Sequence, residues 1–257
     1  MLLAIDIGNT NITLGVFKED ELIFVSRFAT QHVKTKDEYA FQLLNMFNLN
    51  LINPKECNGA IISSVVPEIT NNVGNAVLLT TGCTPKYVDS SLDTGLKIIT
   101  KIPGQLGADM VVGSVAAIAE YPLPCLVIDL GTASKMFVLD KEGTFLGCTI
   151  SAGVGISLNA LSSGASQLPN INLDAPESAI GTETVGCMQS GAVFGTACMI
   201  DGMIERFENE LGYRFESIVA TGGYSQRIVP HCKNPIFFDD NLLLNGLKVI
   251  YERNKQE

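Results

Sequence analysis

The chain has 257 residues, of which 46% are hydrophobic and 17% charged, enough apolar material for one large folded domain or two ordinary ones and too much for a disordered polymer. Its 27 acidic and 17 basic side chains give a formal charge of -10 with no run of lysine or arginine, so long-range repulsion excludes a nucleic-acid partner. Small anionic substrates stay open, because helix N-termini, bound cations and single lysines override the average field locally.

The first element is LLAIDIGNTNITLGVF (2 to 17), an apolar strand that runs into Asp6, turns through glycine and threonine, and re-enters a second strand. An acidic turn at 18 to 21 and the run LIFVSRF follow. DEYAFQLLNMFNL (37 to 49) has helical spacing, and NGAIISSVV (58 to 66) is a β-branched strand ending at Pro67. EITNNVGNAVLLTTG predicts a helix closed by Gly82, and PKYVD a further strand. Signals from Ser90 to Pro103 are mixed; GQLGADMVVGSVAAIAEY then predicts a tightly packed helix, beginning near Ala108, that joins the two halves.

The second half repeats the plan. LVIDLGTASKMFVL (126 to 139) passes from a strand into Asp129, through glycine and threonine, and into another strand, before an acidic turn at 140 to 143 and the run TFLGCTI. After it come a glycine loop, SAGVGISLNAL (151 to 161), and the helical run TVGCMQSGAVFGTACMIDGMIERFENEL. The strand SIVATGG (217 to 223) and a terminal helix in NLLLNGLKVIYERN complete the chain. Strands alternating with helices predict α/β layers, and the repeat predicts two similar domains, 1–118 and 119–257.

Several site chemistries lose support. No apolar run approaches the roughly 20 residues that span a bilayer, and no basic region precedes the N-terminal apolar residues, so a soluble, cytoplasmic protein without a membrane partner is expected. His32 and His231 lie far apart without ligand-spaced neighbours, which argues against a histidine metal site. The seven cysteines form no C-x-x-C pair and are expected to be buried, reduced thiols. Neither G-x-x-x-x-G-K-[ST] nor a full G-x-G-x-x-G is present.

What remains is the repeated hairpin. A glycine after a strand lets the backbone approach a ligand closely, while the adjoining carboxylate and hydroxyl can hold a cation and a phosphate oxygen. Two such hairpins, with ATGGYS (220 to 225) as a later glycine turn, resemble the acetate and sugar kinase, Hsp70 and actin superfamily. The implied fold is α/β, two similar ribonuclease-H-like domains with an ATP cleft between them. Within that superfamily the chain resembles type III pantothenate kinases over nearly its whole length: DIGNTNIT at 6 to 13, PGQLGAD at 103 to 109, IDLGTA at 128 to 133, SAGVGISLNAL, SAIGTETV at 178 to 185, MQSGAVFG at 188 to 195, and ATGG.

The resemblance implies ATP-dependent phosphorylation of the primary hydroxyl of pantothenate, the first step of coenzyme A biosynthesis. It implies that Asp6, Ile7, Gly8, Asn9, Thr10, Asn11, Ile12 and Thr13 hold ATP phosphates and Mg²⁺ (the metal at Asp6), with Thr132 also on ATP and Gly222 and Gly223 near its nucleoside. It puts a monovalent cation (K⁺ or NH₄⁺) at Asp129 and makes Asp109 the base that receives the acceptor's proton. Thr100, Gly107, Ala108 and Met110 fall at acceptor positions, and Thr184 is implied to touch pantothenate from the partner subunit of a homodimer. On its own, an acidic residue at Asp109 is also what a helix macrodipole favours. Gly191 and Gly195 form G-x-x-x-G, which suits close helix packing either inside the chain or between subunits.

Three positions depart from the family pattern. Met110 stands where an arginine would bind the acceptor's carboxylate in bidentate fashion, and Thr100 where a tyrosine would pack beside it. Lys135 replaces a small polar residue; its ammonium could reach a phosphate or stand in for the cation near Asp129, and strand alternation could equally send it to solvent. A same-fold kinase for another hydroxylated compound and a non-catalytic nucleotide-binding regulator are the alternative readings.

Overall fold

The computed structural model describes residues 1–255. The chain forms two compact units; the first comprises residues 1–96, 101–119 and the segment from Asn241. In it β1 (Leu2–Ile7), β2 (Asn11–Lys18) and β3 (Glu21–Ala29) make an antiparallel meander. After α1 (Lys36–Leu49), β4 (Gly59–Ser64) pairs parallel with β1; after α2 (Pro67–Thr81), β5 (Lys86–Tyr87) pairs parallel with β4, giving the order β3-β2-β1-β4-β5. The last element of this stretch is α3 (Ala108–Glu120).

Local chemistry sets the helix ends. The side chain of Thr35 accepts from the Glu38 N–H while Glu38 accepts from the Thr35 N–H, a capping box that starts α1 one residue before the predicted point. α2 stops at Gly82, which takes φ +88° and donates its N–H to the Leu78 carbonyl.

Alternation along β1 divides its side chains between two buried faces. Leu3, Ile5 and Ile7 join Tyr39, Leu43, Ile69 and Val73 beneath α1 and α2. Leu2 and Ala4 join Ile61, Leu244 and Leu247, with Val112 and Val115 of α3 in the same cluster. Asp6 falls on that second face, at the carboxyl end of the strand.

The second unit comprises residues 97–100 and 120–240. It builds the same sheet again: β6 (Cys125–Leu130), β7 (Ala133–Leu139) and β8 (Phe145–Ala152) form the meander, followed by α4 (Val154–Gly164) and α5 (Thr184–Leu211). β9 (Ser217–Thr221) pairs parallel with β6, then come α6 (Ser225–Ile228) and β10 (Phe237–Phe238), in the order β10-β9-β6-β7-β8. Leu126, Ile128 and Leu130 bury against Val193, Ala197 and Ile200 of α5. The opposite face of β6 carries Cys125, Val127 and Asp129, so each sheet presents its aspartate at the end of its first strand, away from the larger α/β core.

Two expectations change. Residues 151–161, read as a glycine loop, are the end of β8 followed by a helix that starts after Gly153 despite the weak helix formers Val154 to Ser157, and that buries Val154 and packs Leu158 into the core beneath β6 and α5. The terminal helix α7 (Leu242–Arg253), assigned by sequence order to the second domain, packs in the first unit, with Leu244, Leu247 and Ile250 against Leu2, Ala4 and Val112.

Candidate active site

In the first hairpin Asp6 lies opposite Thr13 on β2 and beside Ser63 on β4, so all three side chains share one sheet face. The connecting loop is held at both ends. The Gly8 N–H donates to the Asn11 carbonyl at 3.0 Å, the Thr30 N–H to the Thr10 carbonyl at 2.9 Å, and the Thr30 hydroxyl to the Gly8 carbonyl at 2.6 Å. Asn9, Thr10 and Asn11 are exposed, as ligand-holding groups must be. Ile7 and Ile12 are not: both are 0% exposed in the core, so of the expected ATP residues these two can offer only backbone atoms.

Ser63 went unnoticed in the sequence, where it reads as one more residue of a β-branched strand. It is 0% exposed, and its hydroxyl has no hydrogen-bond partner in the structure. A buried orphan hydroxyl normally costs about 1–3 kcal/mol; Gln42 Oε1 and Thr80 Oγ1 are orphaned in the same way, and what sets Ser63 apart is its register position beside Asp6. The set of carboxylate, Thr13 hydroxyl and Ser63 hydroxyl is all oxygen, which suits Mg²⁺. Among the described residues no cluster of three or more His, Cys, Asp or Glu could hold a metal by itself. One carboxylate still suffices where phosphate oxygens complete the shell.

The second hairpin differs at the matching register position. Asp129 lies opposite Lys135 on β7 and beside Thr221 on β9, and the Lys135 Nζ is 2.6 Å from Asp129 Oδ2. Lys135 therefore points at the aspartate rather than to solvent. The turn closes with the Gly131 N–H donating to the Ala133 carbonyl at 3.1 Å, leaving Thr132 exposed. Gly222 adopts φ +93°, and a Cβ there would lie 2.7 Å from Asp129 Oδ1 and 2.6 Å from the Leu130 carbonyl carbon. Only glycine fits this turn, which brings the 222–223 backbone against the hairpin; Gly223 is exposed.

Asp109 occupies the first turn of α3; Val112 and Val115 of α3 share one buried cluster with the Asp6 face of the first sheet, on which α7 lies directly. Its Oδ1 accepts the Met110 N–H at 2.8 Å, which fixes one carboxylate oxygen. Gly107 and Ala108 lead into the helix half-buried, and Met110 is 6% exposed. Thr100 is half-buried but belongs to the second unit, so it and Asp109 are held by different scaffolds.

Thr184 opens α5 and is exposed. It walls a pocket of about 900 Å³ in the second unit with Ser134, Ser151, Val154, Met188 and Gly191. A Cβ added at Gly191 or Gly195 would meet nothing within 4 Å, so the G-x-x-x-G stripe leaves open space at both glycines, which line the same pocket. Cys187 and Cys198 lie on the same helix and, with Cys148 of β8, are exposed rather than buried as expected; Cys57 and Cys125 are the buried thiols.

Two ribonuclease-H-like units, each ending its first strand in an acid-glycine hairpin, define the fold of the acetate and sugar kinase, Hsp70 and actin class. Solved structures with this architecture include (R)-2-hydroxyglutaryl-CoA dehydratase component A of Acidaminococcus fermentans, with TM-score 0.60 and 14% identity over 99% of both chains. Ethanolamine utilization protein EutJ of Carboxydothermus hydrogenoformans has TM-score 0.52 and 13% identity over 96% of this chain and 88% of that one. Such distant likeness shows the fold alone. The chain belongs to the type III pantothenate kinase family, whose profile matches residues 2–206. It is 40% identical to the type III pantothenate kinase of Shouchella clausii, over 99% of this chain and 100% of that protein. The Solibacter usitatus type III pantothenate kinase is 38% identical, over 100% of this chain and 98% of that protein.

Proposed function

We propose that the chain transfers the γ-phosphoryl group of ATP to the primary hydroxyl of pantothenate, the first step of coenzyme A biosynthesis, in the cytoplasm and as a homodimer. Family membership and the duplicated hairpin support the reaction class. The observation that carries it furthest is the placement of Asp109 at the head of α3, whose Val112 and Val115 join the buried cluster on the Asp6 face of the first sheet. A nucleotide-binding module has no need of a carboxylate there, whereas an alcohol attacking phosphorus must lose a proton.

In this reading the loop from Gly8 to Asn11 and the exposed Thr132 hold phosphate oxygens, with backbone N–H groups and hydroxyls as donors. Asp6, Thr13 and Ser63 would hold Mg²⁺, which neutralises the charge that spreads over the transferring group. Gly222 and Gly223 let the nucleoside approach the second hairpin. Asp109 takes the proton of the attacking hydroxyl. A monovalent cation at Asp129 does not fit the residues present, because the Lys135 ammonium sits on Oδ2.

The homodimer is supported by the open Gly191 and Gly195 face of α5 and by the exposed position of Thr184 beside a pocket. Among the described residues no helix is long and apolar enough to cross a membrane. Met110 supplies no charge for the acceptor's carboxylate, which favours a second reading, a kinase of this family acting on an uncharged hydroxylated compound. ATP-dependent phosphorylation of pantothenate and of uncharged analogues with Mg²⁺, by the intact chain and by Asp109→Asn, decides between them. Turnover of pantothenate that vanishes in the variant supports the first; turnover of the uncharged compounds alone supports the second.

A further inference from the structure

Lys135 and Asp129 are direct cross-strand partners in the antiparallel β6–β7 pair, and their charged atoms meet at 2.6 Å. Both are shielded, with 13% and 12% of the side-chain surface accessible. A carboxylate withdrawn this far from water requires a countercharge, and so does an ammonium. In the first hairpin the equivalent register position, opposite Asp6, holds the hydroxyl of Thr13. The two hairpins thus share a strand plan, and at this register position the second carries its own cation.

We propose that the Lys135 ammonium is a built-in monovalent cation at Asp129, so that phosphoryl transfer by this chain does not depend on dissolved potassium or ammonium. The inference rests on the kinase reading above. An –NH₃⁺ group has the charge of either ion and three N–H donors, of which one direction is taken by Oδ2. Anchored on β7, it stays beside the hairpin at any salt composition, whereas an ion from solution would have to displace it from Oδ2. The neighbouring Gly131–Thr132 turn and Gly222 lie against the same aspartate, with Asp129 Oδ1 2.7 Å from a Cβ position at Gly222. A positive charge held there neutralises Asp129 where phosphate oxygens are expected to arrive.

The test compares the intact chain with Lys135→Ala and with Lys135→Thr, the latter reproducing the residue type of the first hairpin. Turnover of pantothenate and ATP is measured in KCl, NH₄Cl, NaCl and choline chloride at equal ionic strength. Thermal unfolding is measured in the same salts with a non-hydrolysable ATP analogue and Mg²⁺. The intact chain should vary less than about twofold in kcat/KM among the salts, and its Tm should not rise specifically in KCl or NH₄Cl. The variants should lose about 100-fold in choline chloride, recover about tenfold or more in KCl or NH₄Cl, and gain a K⁺-specific rise in Tm. A K⁺-dependent intact chain, or folded variants as indifferent to the salts as the intact chain, overturns the proposal. If pantothenate is phosphorylated in no salt, the kinase reading falls, and the melting comparison still decides whether Lys135 holds the cation position.

Discussion

Gly153, the N-cap of α4, lies against the turn of the second hairpin so closely that a Cβ would stand 2.5 Å from the Gly131 carbonyl oxygen and nearer still to that of Thr132. Its φ of -68° is open to any residue, so the restriction is purely one of space. Gly153→Ala should therefore push the Gly131–Thr132 turn outward and leave the rest of the sheet in place. If the turn holds phosphate as proposed, a displacement of about 1 Å lowers kcat/KM by about 100-fold. Circular dichroism and kinetics on the same sample check this; full activity in a well-folded variant would show that the turn does not touch ATP.

Ser63 sets stability against function at one atom. Its buried hydroxyl lacks a partner, so Ser63→Ala removes a desolvated group and should raise the Tm of the ligand-free protein by a few degrees, about 2–4 °C per kcal/mol for a chain of this size. The same change removes the oxygen donor proposed beside Asp6 and should weaken Mg²⁺-dependent ATP binding by about tenfold, the worth of one hydrogen bond. Calorimetric titration with and without Mg²⁺ separates the effects. Unchanged affinity in both conditions would return Ser63 to the core.

Asp109→Asn keeps the shape of the α3 N-terminus, including an oxygen for the Met110 N–H, and removes the proposed base. A fall of about 10²–10⁴ in kcat with ATP affinity retained is expected. A loss confined to KM would make Asp109 a binding group.

The repeat made both hairpins and the faces of Asp6 and Asp129 legible, since a period of two fixes which side each residue takes once the strand is recognised. Alternation alone did not say that Lys135 would be covered. Pairing the strands across the short Gly131–Thr132 turn does, because it sets Lys135 directly opposite Asp129. Ser63 was invisible for the opposite reason: β4 meets β1 only after a long helical crossover, and nothing local distinguishes a serine beside a carboxylate from one in a core. The unit to which α7 belongs was likewise a matter of contacts more than 120 residues apart in sequence, as in Leu247 against Val115. The exposed cysteines of α5 follow from its unpartnered face, which composition cannot reveal.

Three thiols give stability a pH dependence with a definite sign. Burial pushes Cys57 and Cys125 up to about 11 and Cys232 up to about 12. The folded chain keeps these protons where an unfolded thiol, near 8.5, has lost them. The unfolded state then binds fewer protons, so stability is complete below about pH 8.5 and declines as pH rises toward the folded values. Tm should fall between about pH 9 and 11, and Cys125→Ala should flatten that slope. A slope unaffected by the substitution would assign the alkaline decline to other groups.

Met110 offers the sharpest test of the acceptor. It is 6% exposed and carries no charge, so Met110→Arg would bury a guanidinium that the ligand-free protein was not built to pair. The variant should melt lower than the intact chain, by the equivalent of about 2–5 kcal/mol. If position 110 faces the carboxylate of pantothenate, saturating pantothenate supplies the missing partner in bidentate form and should raise the variant's Tm more than it raises that of the intact chain. The KM for pantothenate should fall in the same variant, while that for uncharged analogues should not. Equal thermal shifts in the two proteins would show that Met110 faces the core and that the acceptor's carboxylate, if it has one, is held elsewhere.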